Sequence, residues 1–189
     1  MRNIKLVLEY DGTNFFGWQR QVSERTVQQE IEKALSIILQ QATSIVGAGR
    51  TDTGVHARGQ VANFITISSI PSDKVFSSLN GILSDDIAVR SVEEVPLEFH
   101  SRYSAKEREY SYTISSLPTS LLHNFSWEYL SPLNLELMNA ASDTLLGEHN
   151  FTSYCTSEKE VENKICTIVK AHWRKKGSEI KFCIRGNRF

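Results

Sequence analysis

Fourteen residues, Gly47-Ala48-Gly49-Arg50-Thr51-Asp52-Thr53-Gly54-Val55-His56-Ala57-Arg58-Gly59-Gln60, hold four glycines, two arginines, a histidine and a single carboxylate between two apolar stretches. Glycine at this density lets the main chain take positive φ and approach a ligand closely. Asp52 follows Arg50 by two residues. A guanidinium within ion-pair reach keeps a carboxylate ionised and restrains its orientation. A carboxylate held in this way can attack an electrophilic centre or take a proton. The same residues also suit a surface loop in which Asp52 and Thr53-Gly54 make a turn. Residue types alone leave both readings open.

The elements around this run have to position it. Ile4 to Leu8 reads as a strand. Thr26, with Gln29 three residues later, forms a capping-box pattern, and Val27, Ile31, Ala34, Leu35, Ile38 and Leu39 follow at helical spacing. Ile45-Val46 is a short strand leading into the run, and Gln60 to Ile67 is a strand leading out of it. Pro71-Ser72 opens a helix carrying Val75, Phe76, Leu79, Ile82 and Leu83, and Ile87 begins the next strand. Strand, helix, strand, strand, helix, strand is the split βαβ, ferredoxin-like order.

The second half starts in the same way. Glu109 to Ser115 alternates as a strand with Tyr110, Tyr112 and Ile114 on one side. Leu133 to Leu146 reads as a helix with Leu137, Met138, Ala141, Leu145 and Leu146 on one face and Gly147 as its C-cap. Ile165 to Trp173 and Glu179 to Ile184 are two strands around a turn at Lys176-Gly177. The expectation is an α+β chain of two ferredoxin-like units, residues 1–100 and 101–189. They form a largely antiparallel sheet with helices on one side, and the second unit is incomplete. The aromatics Phe16, Trp18, Phe125 and Trp127 are read as core.

Composition narrows the function classes. The chain has 189 residues, enough for a real core in one or two domains. No apolar run approaches a membrane span, and Lys5 and Glu9 break the amino-terminal apolar stretch, so neither a span nor a secretion signal is expected. Cys155, Cys166 and Cys183 lack CxxC spacing, and an odd number without a framework reads as reduced thiols in a cytosolic protein. The paired spacing of a zinc site with His149 or His172 is absent as well. No metal site and no nucleotide-cofactor fingerprint is expected.

The net charge is −1, but residues 164–189 carry eight basic residues against Glu179 alone. That stretch is therefore +7, and the remaining 163 residues are −8. Such asymmetry suits polyanion binding, and it equally suits a solvated basic hairpin. A bare RNA-binding module is one reading, although the KGFGFVxF-type strand is missing. A phosphate-binding enzyme is another, although the GxxxxGK[ST] order is missing.

The Gly47–Gln60 run resembles the GRTDxGVHA signature of the TruA family of tRNA pseudouridine synthases. Tyr10-Asp11-Gly12-Thr13 with Phe16-Gly17-Trp18-Gln19-Arg20-Gln21 is similar to the family's YDGT…GWQRQ motif. Thr26-Val27-Gln28, Leu79-Asn80, Phe99 to Ala105, Arg108 to Tyr112 and Gly147 to Phe151 match in order. Ser84, Ser101 and Asn150 depart from the usual proline, alanine and aspartate. The family pattern continues past Gly186–Phe189 into a helix and a strand, so a shortened member is expected.

The resemblance implies isomerisation of uridine to pseudouridine in the anticodon stem-loop, positions 38 to 40 of tRNA, without a cofactor. It implies a cytoplasmic enzyme that binds tRNA as a homodimer and does not enter membranes. It implies that Asp52 is catalytic, that Arg50 pairs with it, and that Tyr110 stacks on the uracil. Arg58, Arg102, Lys106 and Arg108 are read as candidate phosphate contacts, set against the ordinary reading of lone surface basic residues. His56 is read as a turn-stabilising or RNA-contacting residue.

Overall fold

The computed structural model describes residues 1–154 and 164–189; Cys155 lies outside them. The chain divides into two compact units, Met1–Ala105 and Lys106–Phe189. The first contains β1 (Arg2–Tyr10), α1 (Val27–Leu39), β2 (Val46–Gly47), β3 (Ala57–Thr66), α2 (Ser72–Ile82) and β4 (Ile87–Val95). Its sheet order is β2-β3-β1-β4, with every pairing antiparallel. This is the ferredoxin-like arrangement expected from the element order.

Strand alternation explains the core of the first unit. Ile4, Leu6, Leu8 and Tyr10 of β1 face the same side as Ala62 and Phe64 of β3, and all are buried. Helix α1 covers them with Val27, Ile31, Ala34, Leu35 and Leu39, the stripe that helical spacing predicts. Thr26 caps it by accepting from the Gln29 N–H. Helix α2 contributes Val75 and Leu79, whereas Phe76 and Ile82 face solvent, contrary to expectation. Asn80 fixes the rotation of α2. Its Oδ1 accepts from Val89 N at 2.8 Å, and its Nδ2 donates to Val89 O at 3.0 Å.

The opposite face of β1 is covered near its start by the chain after β4. Asn3 donates through Nδ2 to Pro96 O and Phe99 O, and its Oδ1 accepts from Asn63 Nδ2. Asn63 Oδ1 then accepts from Ser101 N at 2.9 Å. All three residues are buried, so each polar atom in the relay would cost roughly 1–3 kcal/mol if left without its partner. The relay keeps residues 96–101 on the first unit and carries the chain past the end of β4.

The second unit contains β5 (Arg108–Ser115), β6 (Trp127–Glu128), α3 (Leu135–Asp143), β7 (Gly147–Asn150), β8 (Ile165–Lys176) and β9 (Glu179–Gly186). Its sheet order is β6-β5-β9-β8-β7, antiparallel except for β5–β6. Strands β6 and β7 are too short to show a pattern in sequence. Among the described residues the unit has one α-helix, and β6 pairs only with Ile114 and Ser115 of β5.

Helix α3 is shorter than its apolar spacing suggests and is rotated. Leu137, Ala141 and Leu146 are exposed, while Ser142 is buried. Hydrogen bonds set this orientation. Asn139 exchanges two with the Trp173 main chain, and the Trp173 indole donates to Ser142 Oγ at 3.1 Å. The helix ends at Thr144, and Gly147 (φ +98°) opens β7 instead of capping α3. Trp18 is core as expected, whereas Phe16, Phe125 and Trp127 are each about half exposed.

Candidate active site

The signature run leaves β2, turns, and re-enters the sheet as β3. Ala48 N donates to Val61 O at 2.8 Å, and Gln60 Nε2 donates to Gly49 O at 2.6 Å, so the two ends of the run are zipped together. At the tip, Val55 N donates to Asp52 O at 3.1 Å, with Gly54 at φ +78°. A β-turn with positive φ at its third residue requires glycine there. The turn reading of Asp52-Thr53-Gly54 is therefore correct, and it leaves the Asp52 side chain exposed.

A second segment, residues 10–18, braces the loop through its main chain. Trp18 N donates to Thr51 O at 2.9 Å, and Gly54 N donates to Phe15 O at 3.2 Å. The Tyr10 and Thr51 hydroxyls meet at 2.8 Å. Gly12 N donates to His56 Nδ1 at 3.0 Å, and Asp11 Oδ1 lies 3.0 Å from the same nitrogen. His56 thus fastens the end of the loop to the turn after β1. Burial pushes the Asp11 carboxyl up, but hydrogen bonds from the Thr13 hydroxyl and N–H, together with the electrostatic influence of the adjacent His56 ring, outweigh it and hold the group below the usual range.

The bracing segment is itself anchored by a carboxylate that the sequence pattern hid. Glu32 lies on the buried stripe of α1. Its Oε1 accepts from Ile45 N at 3.0 Å and from Gln28 Nε2 at 2.9 Å, and its Oε2 accepts from Arg20 Nη1 at 3.1 Å. Gln28 Oε1 in turn accepts from Arg20 N. The Arg20 and Gln28 positions of the two amino-terminal motifs therefore bind structure together. Arg25 forms the other anchor, gripping Asp86 with both terminal nitrogens while its guanidinium sits 4.2 Å from the Phe15 ring centroid. That grip holds the Asp86 carboxyl below the usual range against the opposing effect of burial. Ser84, at a proline position of the family pattern, joins this cluster by accepting from Arg25 Nη2 and bonding to Asp86.

The expected site residues fall in both units. Arg50, Asp52 and Arg58 lie on the loop and at the start of β3, all exposed. Asp52 takes part in no ion pair among the described residues, the one expected with Arg50 included. Arg102 follows Ser101, whose hydroxyl donates to Val46 O at 2.6 Å one residue before the run begins. Ser101, at an alanine position of the family pattern, therefore secures this tail to β2.

In the second unit, Tyr110 is more than one-third exposed near the start of β5 and meets Phe189 edge-on at 5.0 Å. Arg108 Nη1 donates to Asn187 O at 3.1 Å. Asn150, at an aspartate position of the family pattern, accepts from both Thr152 N and its hydroxyl, the capping job a carboxylate would do.

The basic residues of the second unit crowd the β8–β9 hairpin. Arg174 opposes Lys181, Lys175 opposes Ile180, and Lys176 opposes Glu179. Like charges facing each other across a ladder are unfavourable. Lys170 and Arg185 are already engaged by Glu109 and Glu107. Burial together with the Arg174 and Lys170 charges holds the His172 imidazole below its usual range, as a positive field requires. Among the described residues, no three His, Cys, Asp or Glu side chains come together in a way that could hold a metal ion. No described helix is long and apolar enough to cross a membrane.

The family model described as tRNA pseudouridine synthase matches residues 6–104 and 141–189. The chain belongs to the tRNA pseudouridine synthase family. The tRNA pseudouridine synthase A of Acetivibrio thermocellus is 41% identical over 191 residues, covering all of this chain and 78% of that protein. Those of Chlorobium luteolum and Halalkalibacterium halodurans are each 43% identical, with 75% and 73% of their lengths covered. Membership makes the chain an isomerase and decides against a bare RNA-binding module. The matched segments include the braced loop with Asp52 and the hairpin, though not Tyr110.

Proposed function

We propose that the chain isomerises uridine to pseudouridine in the anticodon stem-loop of tRNA, at positions 38 to 40, with Asp52 as its catalytic residue. In this isomerisation the C1′–N1 bond breaks, a C1′–C5 bond forms, C5 loses a proton and N1 gains one. The observation that carries the reading is an exposed carboxylate at the tip of a loop whose main chain is fastened on both flanks. The arrangement suits a group that must meet a flipped nucleotide in a fixed pose. Tyr110 stacks on the uracil in this reading. Arg50 steadies the nucleotide and Asp52 once RNA is bound. Arg58, Arg102 and Arg108 contact phosphates.

The reading extends to a cytoplasmic homodimer, and light scattering of the full chain at micromolar concentration decides the second copy. Carbodiimide mapping of treated tRNA tests the substrate. Adducts at positions 38 to 40 are expected, and modification confined to other arms refutes the assignment.

The hairpin gives a separate prediction. Arg174, Lys175, Lys176 and Lys181 gather four cations at its tip, with Glu179 alone in opposition. If phosphates lie there, changing Lys175 and Lys176 to Glu reduces the slope of log affinity against log salt by about two, one for each contact. An unchanged slope makes the tip a solvated face.

A further inference from the structure

We infer that Tyr10 is a positioning residue for Asp52, acting through the Thr51 hydroxyl; the inference rests on Asp52 being catalytic. Tyr10 ends β1 on its core face, with only 3% of its surface exposed. Its ring packs near Trp18, with centroids 6.2 Å apart, and is held by the same core that holds the sheet. The hydroxyl reaches Thr51 Oγ1 at 2.8 Å, immediately before Asp52 in sequence.

Thr51 is therefore gripped twice, at its side chain by Tyr10 and at its carbonyl by Trp18 N. A threonine fixed at both points has little freedom about χ1 or ψ. Beyond Asp52, the hydrogen bond from Val55 N to Asp52 O fixes the other flank. The exposed carboxylate is thus carried on a peptide set by a buried phenol, and the main chain from which it reaches toward a nucleotide is fixed before the RNA arrives. Preorganisation by a rigid supporting shell is what separates a productive constellation from one that is merely present.

The steady-state kinetics of the full chain on tRNA test this. Tyr10→Phe removes one oxygen and keeps the ring. It is expected to lower kcat about tenfold while KM stays within about twofold, the mark of lost positioning without lost binding. Thr51→Val should reproduce that loss and Thr51→Ser should escape it, because serine keeps the hydroxyl. The double variant Tyr10→Phe/Thr51→Val should be no worse than either single change, since both break one link.

Thermal unfolding of each variant separates misfolding from misplacement, and Thr51→Val carries the test if Tyr10→Phe does not fold. A wild-type kcat in Tyr10→Phe, equal losses in the Ser and Val variants, or multiplying losses in the double variant overturns the inference while Asp52 stands. Substantial turnover by Asp52→Asn, measured alongside, removes both.

Discussion

Asp52→Asn is expected to abolish pseudouridine formation while leaving the fold and most of the tRNA affinity in place. The Asp52 side chain is exposed, and it forms no ion pair among the described residues, so no packing or charge pairing is lost with it. Its main-chain carbonyl keeps the hydrogen bond from Val55 N whatever the side chain is. The substitution changes one oxygen to an amide nitrogen, at nearly constant volume. What disappears is the ability to attack or to take a proton, and losing such a group costs about a thousandfold or more in rate. Release of tritium from C5 of labelled uridine in tRNA follows turnover. Filter binding and the thermal midpoint follow affinity and folding. Less than about a tenfold loss of turnover, with normal binding, would remove Asp52 from the chemistry.

The first unit was legible because its signals are local. Val27, Ile31, Leu35 and Leu39 announce α1 by spacing, and the glycine-rich run announces a loop by composition. Even the turn at Thr53-Gly54 follows from residue type. The brace on that loop was not legible as geometry. Its hydrogen bonds join residues about forty positions apart, such as Tyr10 to Thr51 and Gly12 to His56, and no periodicity encodes them. Glu32 was hidden for a related reason, since a carboxylate on an apolar stripe makes sense only once Ile45, Gln28 and Arg20 converge on it.

In the second unit the apolar pattern of α3 misled. Asn139 and Ser142 hydrogen-bond to Trp173 and turn the helix, which leaves Leu137 in solvent. A tertiary polar contact here overrides a hydrophobic stripe. Elsewhere Asn80 shows the same device, pinning α2 to β4 with Val75 and Leu79 inward and Phe76 and Ile82 in solvent.

Gly17→Ala is expected to damage turnover severely. Gly17 has φ +82°, where a side chain costs roughly 1–2 kcal/mol in backbone strain. The larger effect comes from where the new methyl group would sit. Its Cβ would lie 2.6 Å from Thr51 O and 3.2 Å from the Asp52 carbonyl carbon. Both are main-chain atoms, so relief cannot come from a side chain swinging aside. Either the segment lifts off the loop or the loop moves. In both cases the hydrogen bond from Trp18 N to Thr51 O is lost and Asp52 is displaced.

A shift of about 1 Å at a reacting group costs on the order of a hundredfold in rate. Gly17→Ala should therefore lower kcat by about that factor and lower the thermal midpoint by several degrees. Gly54 supplies the control. It too has positive φ, at +78°, but nothing lies within 4 Å of an added Cβ. Gly54→Ala should show the strain in its melting temperature with a much smaller loss of kcat. Equal losses of turnover in the two variants would mean that backbone strain alone accounts for the effect and that the contact between Gly17 and the loop does not position Asp52.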